Sequence, residues 1–172
     1  MPLASKTFDH ALQAVLREPL RQHGFVFDGS RTFRRTASAD GEVVQIIQFQ
    51  LGQHSHEGRF AVNLAVYVPR EVPMNPARLH PSKALEFHCA PQRRERLGRL
   101  VPVRFGFLRH LPYLGSFFGP QDIWWRHHVE LPPTLARMHK VMALLELRGL
   151  PWLDAHTPRE HAAVPTLSAT SR

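Results

Sequence analysis

A chain of 172 residues, 43% hydrophobic and 21% charged, suits one domain with one core and excludes large disordered blocks away from the ends. Its only cysteine, Cys89, rules out an intramolecular disulfide, a CxxC redox pair and any multi-cysteine zinc site. The formal charge of +8, carried by 19 arginines and 3 lysines, admits nucleic acid or an acidic protein as a partner, although scattered arginines also arise from a coding bias with no partner at all.

The segment Met1 to Lys6 lacks the basic start and apolar run of a signal peptide, and no stretch approaches the roughly 20 apolar residues of a membrane-spanning helix. A cytoplasmic protein that does not insert into membranes is the expectation. Phe8, Leu12, Val15, Leu16 and Leu20 recur at helical spacing and predict an amphipathic first helix. Pro19 should kink or restart it, and Gly24 is placed to stop it in the left-handed conformation.

From Phe25 the period changes from 3.6 to 2. Phe33 to Thr36 reads as a strand, and Ala39-Asp40-Gly41 carries the chemistry of a reversing turn. In the next strand Val43, Gln45, Ile47, Phe49 and Leu51 share one face, while Val44, Ile46, Gln48 and Gln50 share the other. Gly52 to Gly58 is a polar loop. A further strand sets Phe60, Val62, Leu64, Val66 and Val68 against Ala61, Asn63, Ala65 and Tyr67. Such a pair is antiparallel and lies on a helix by its apolar face.

Pro69 to Pro81 reads as a connection, Lys83 to His88 as a short helical turn, and Arg94 to Val103 as an edge strand limited by Pro102. Val103 to Pro120 is a long apolar connection expected to pack on the body. Asp122 to Leu131 reads as a last strand closed by Pro132-Pro133. Thr134 would cap a second long helix that buries Leu135, Met138, Val141, Met142 and Leu145 and stops at Gly149. Leu150 to Leu153 gives a final apolar contact. The expected organisation is one α+β domain over residues 1–153 and a flexible tail over 154–172. Its antiparallel β-sheet of about five to six strands is packed on one face by an N-terminal and a C-terminal helix.

Several pieces, in order, resemble a bacterial family known as domain of unknown function 4304. They are the leading helix running into His23-Gly24-Phe25, the strand Phe33-Arg34-Arg35, and the alternating glutamines of Gln45 to Gln50. Phe60-Ala61-Val62-Asn63-Leu64 and Arg94-Glu95-Arg96-Leu97-Gly98 follow, then Asp122 before Trp124-Trp125, and a closing helix into Leu150-Pro151-Trp152-Leu153. The resemblance spans most of residues 8 to 153 and implies an α+β fold with a helix-backed antiparallel sheet. It implies no activity and carries over no catalytic residue.

Two surfaces stand out as binding candidates. Gln48, Gln50, Asn63 and Tyr67 point away from the apolar side of the sheet and could recognise a peptide, a base or a carboxylate, or else form an ordinary solvated sheet face. Arg94, Arg96, Trp124 and Trp125 form the second, because adjacent tryptophans on a strand face opposite sides and one of them is free to stack or anchor a partner. The competing assignment buries one tryptophan in the core and the other under the Val103–Pro120 segment.

Reactive chemistry has weaker support. His54 with His56, and His127 with His128, sit close in sequence, and His88, Cys89 or His110 could complete a metal site, yet no spacing matches a helical or finger pattern. Cys89 follows His88 without any sign that the imidazole reaches the thiol. Asp122 and Glu130 would serve acid–base work only if folding brought another titratable group to them. No G-x-S-x-G elbow or P-loop is present. The reading is therefore a non-catalytic binding module with no cofactor and no metal. Nucleic-acid binding through arginine and aromatic stacking is the alternative, and a histidine-based metalloenzyme comes third.

Overall fold

The computed structural model describes residues 3–71, 79–102 and 122–158. The long apolar connection expected over Val103–Pro120, with His110, lies outside the described residues, as does the chain from residue 159 onward. The chain opens with helix α1, Leu3–Gln22, whose buried stripe is Phe8, Ala11, Leu12, Val15, Leu16 and Leu20. The helix runs through Pro19 and ends as the glycine predicts. Gly24 has φ +82°, the Phe25 N–H donates to the Leu20 carbonyl at 2.9 Å, and the Gly24 N–H donates to the Arg21 carbonyl at 2.9 Å. This is a Schellman stop, with Leu20 and Phe25 buried together beneath it.

Strands β1 (Val26–Phe27), β2 (Thr32–Thr36), β3 (Val44–Leu51), β4 (Arg59–Tyr67) and β5 (Arg94–Arg96) follow as an antiparallel meander in that spatial order. A sixth strand, β6 (Trp125–Arg126), also pairs with β4. The β2–β3 turn is held by its own polar residues. The Asp40 carboxylate accepts from the Glu42 N–H at 3.0 Å, Ser38 Oγ accepts from the Val43 N–H at 2.9 Å, and Gly41 takes φ +76°.

Alternation decides what each sheet face does. Phe33, Ile47, Phe49, Phe60, Val62, Leu64 and Val66 enter the main core with α1 and the C-terminal helices. The opposite face, called the second face below, carries a smaller cluster in which Val44, Ile46, Ala65 and Tyr67 meet Ala84 and Cys89. Those last two residues belong to the segment 79–93, a run of 3-10 turns at Pro81–Lys83, Glu86–His88 and Pro91–Arg93.

The second half of the chain departs from the expected elements in four places. The strand starting at Arg94 stops at Arg96, and Leu97–Leu100 turns as a 3-10 helix that buries Leu97 and Gly98. The strand expected over Asp122–Leu131 is only β6, because Pro132 and Pro133 begin a helix rather than end a strand. Helix α2 spans Leu131–Leu144 and uses its prolines in the first turn, where a missing N–H costs nothing. Thr134 is therefore inside that turn and not at the cap, a position held by Glu130; its buried Oγ1 accepts from the His128 N–H at 3.0 Å.

Gly149 does not stop the helix either. A π turn, Leu145–Gly149, leads directly into α3, Leu150–His156. A Cβ on Gly149 would meet Leu145 Cδ2 at 2.9 Å and Leu97 Cδ1 at 3.3 Å, so glycine is there for close packing and not for a left-handed turn. The helix passes the expected domain end at Leu153: Asp154 pairs with Arg35, and Thr157 Oγ1 donates to the Leu153 carbonyl at 2.8 Å.

Candidate functional site

The second face is half covered and half polar. At its covered end Tyr67 is 1% exposed and its hydroxyl donates to the Leu79 carbonyl at 3.3 Å. Gln48 Oε1 accepts from the Glu86 N–H at 3.4 Å, and Arg94 pairs with Glu86 at 3.5 Å. These three predicted site residues hold the 79–93 segment on the sheet. Trp125 is 6% exposed, with its ring 5.8 Å from Phe60, and faces the main core.

At the other end the remaining candidates converge. Asn63 stands opposite Gln48 on β3 and opposite Arg96 on β5. Its Nδ2 donates to Gln50 Oε1 at 3.1 Å. The Arg96 guanidinium pairs with Asp122 and lies 5.0 Å from the centre of the Trp124 ring. The His56 imidazole stacks on that indole, 4.3 Å between centres and 10° from parallel. Amide, guanidinium, carboxylate, indole and imidazole thus share one patch, which joins Gln50 and Asn63 of one candidate surface to Arg96 and Trp124 of the other.

Two glycines shape that patch. A Cβ on Gly52 would lie 2.1 Å from the His56 carbonyl oxygen, so the loop that carries His56 closes tightly only over glycine. A Cβ on Gly98 would lie 2.5 Å from the Ile123 carbonyl oxygen, so the chain bearing Asp122 and Trp124 is seated on bare backbone. His56 joins the site although its loop histidine carried no such signal; the bracketing Gly52 and Gly58 are the trace that could have found it. Asp122, weighed as an acid or base, instead anchors Arg96.

The patch has unmet hydrogen-bonding capacity. Asn63 Oδ1, Asp122 Oδ1 and His56 Nδ1 are buried without a hydrogen-bond partner. Each such atom costs about 1–3 kcal/mol. Asn63 is 5% exposed and occupies a strand paired on both sides, where an apolar residue would avoid that cost.

The reactive candidates are dispersed. Cys89 is buried, and its thiol is pushed up to about 12, first by burial and then by the Glu86 charge, so it carries almost no thiolate at neutral pH. His127 rests edge-on against Phe8 at 5.4 Å, and burial, with the charges of His128 and Arg31, holds its pKa below the ordinary value. His54 is exposed while His56 turns to Trp124. Among the described residues no group of three or more His, Cys, Asp or Glu could hold a metal ion.

Away from this patch a concavity of about 650 Å³ opens at Val26, Arg34, Arg35 and His80. Its cations are already engaged, Arg34 with Asp28 and the Ala84 carbonyl, Arg35 with Gln45 and Asp154. No helix among the described residues is long and apolar enough to cross a membrane. The family model described as Domain of unknown function (DUF4304) matches residues 16–155. No curated protein and no solved structure matches the chain significantly.

Proposed function

The chain therefore belongs to the DUF4304 family, and from that premise we propose that it is a non-catalytic binding module. It holds a protein partner on the polar half of the second sheet face, through the exposed Gln50 and the half-buried Arg96 and Trp124, with Asn63, His56 and Asp122 beneath them as supports. What carries the reading is the meeting of the exposed Gln50 with the Arg96–Trp124 stack over a central-strand Asn63 that holds Gln50 in place and keeps its own Oδ1 buried without a partner. A stretch of sheet that served packing alone would be expected to place an apolar residue there. Tyr67, Gln48, Arg94 and Trp125 contribute indirectly, by fixing the sheet and its cover.

The nucleic-acid alternative draws less support. Arg31, Arg34, Arg35, Arg93, Arg94 and Arg96 each lie against a carboxylate, which offsets much of the charge a phosphate backbone would use. The test is affinity capture from cell lysate with wild-type, Trp124→Ala and Gln50→Ala baits of matched thermal stability. A protein recovered by the wild type and lost from both variants supports the reading. Equal recovery by all three baits, or recovery that disappears on nuclease treatment, contradicts it.

A further inference from the structure

The sheet sets Arg59 of β4 directly opposite Arg126 of β6. Their neighbours Phe60 and Trp125 enter the main core, so alternation directs both arginines to the second face, on the side where Trp124 lies. Arg59 is half-buried and Arg126 exposed. Like charges directly opposite on neighbouring strands destabilise a sheet. Elsewhere on this face the chain avoids that arrangement, giving Arg34, Arg94 and Arg96 a carboxylate each. Among the described residues, neither Arg59 nor Arg126 forms an ion pair.

We infer, resting on the binding-module reading above, that Arg59 and Arg126 form a clamp for an acidic segment of the protein partner. A carboxylate is acceptor-only and offers two oxygens, so one such group between two guanidinium forks converts their repulsion into charge-assisted hydrogen bonds. The half-buried indole of Trp124, stacked with His56 and approached by Arg96, lies on the same side and gives the adjoining part of the segment an apolar contact. The neighbourhood favours a peptide over a nucleic acid. The Asp122 carboxylate beside Arg96 disfavours a continuous run of phosphates, whereas an acidic side chain needs only one point of contact.

The probe is a fluorescein-labelled octaglutamate peptide, followed by anisotropy at low ionic strength, with a glutamine peptide of equal length and a single-stranded oligonucleotide as competitors. The glutamate peptide should bind and the glutamine peptide should not. Arg59→Gln and Arg126→Gln should each weaken binding by about tenfold or more, the loss expected for a charged hydrogen-bond donor. Arg126→Glu should abolish binding and raise the melting temperature of the free protein, because opposite charges then face each other across the strands. No binding by the wild type, undiminished binding by Arg126→Glu, or tighter binding of the oligonucleotide at the same arginines overturns the clamp. Partner capture that is lost in Trp124→Ala but intact in both glutamine variants overturns the clamp and leaves the binding face standing.

Discussion

Replacing Asn63 with leucine should make the protein more stable and less able to hold its partner. The two side chains branch at the same carbon, so the change tests polarity on a similar outline, leucine being the bulkier of the two. The variant loses the Asn63 Nδ2 bond to Gln50 Oε1, about 1 kcal/mol, and Gln50 is exposed and free to bond with water. It removes the orphaned Oδ1, a gain of about 1–3 kcal/mol. Two methyl groups enter a site that is 5% exposed, which adds about 1 kcal/mol. The net is about 2 kcal/mol in favour of the variant, or roughly 5 °C in melting temperature for a chain of this size. Thermal denaturation followed by circular dichroism reads the first half of the prediction, and capture by the variant bait reads the second. A fall in melting temperature would mean that the native site already satisfies Asn63, and the argument from unmet hydrogen bonds would fail.

Gly98→Ala places a Cβ 2.5 Å from the Ile123 carbonyl oxygen and 2.7 Å from its nitrogen, both backbone atoms that cannot rotate aside. The cost should be about 2 kcal/mol, which lowers the urea midpoint by about 1 M for a slope near 2 kcal/mol/M; an unchanged midpoint would show that the Asp122–Trp124 chain is not seated there. Burial that moves the Cys89 thiol from 9.0 to about 12 lowers its thiolate fraction at pH 8 on the order of a thousandfold, and iodoacetamide should label the native protein correspondingly slowly. The same shift stabilises the folded protein fully below pH 9 and is lost as pH rises through about 12, so Cys89→Ala should flatten the alkaline limb of the stability profile. Native labelling as fast as that of the urea-unfolded chain would contradict both statements.

The elements legible in the sequence are those whose reason is local. The alternation of Val43 to Leu51 and of Phe60 to Val68 gave the two central strands and their faces, and Gly24 marked a stop that depends on only a few neighbouring residues. Errors arise where one residue type serves two purposes. Pro132 and Pro133 begin α2 as readily as they would end a strand, and Gly149 is small for packing against Leu145, Leu97 and Leu64, not for its backbone freedom. The cover over Tyr67 was illegible because segment 79–93 is built from 3-10 turns without apolar periodicity.

The site was legible only in part, for a similar reason. Gln50, Asn63, Arg96 and Trp124 stand out by residue type on an otherwise apolar pattern. Their meeting with His56 and Asp122, and the opposition of Arg59 to Arg126, depend on register between segments far apart in sequence. Local patterning does not encode that register.

The most direct measurement places a photo-crosslinking residue at Gln50, on the polar half of the second face, and in a parallel protein at Leu147, exposed on the helical layer. Irradiation in cell lysate should give a discrete partner adduct from position 50 and none from position 147. An adduct from position 147 alone, or the same adduct from both, would contradict a binding site on the second sheet face.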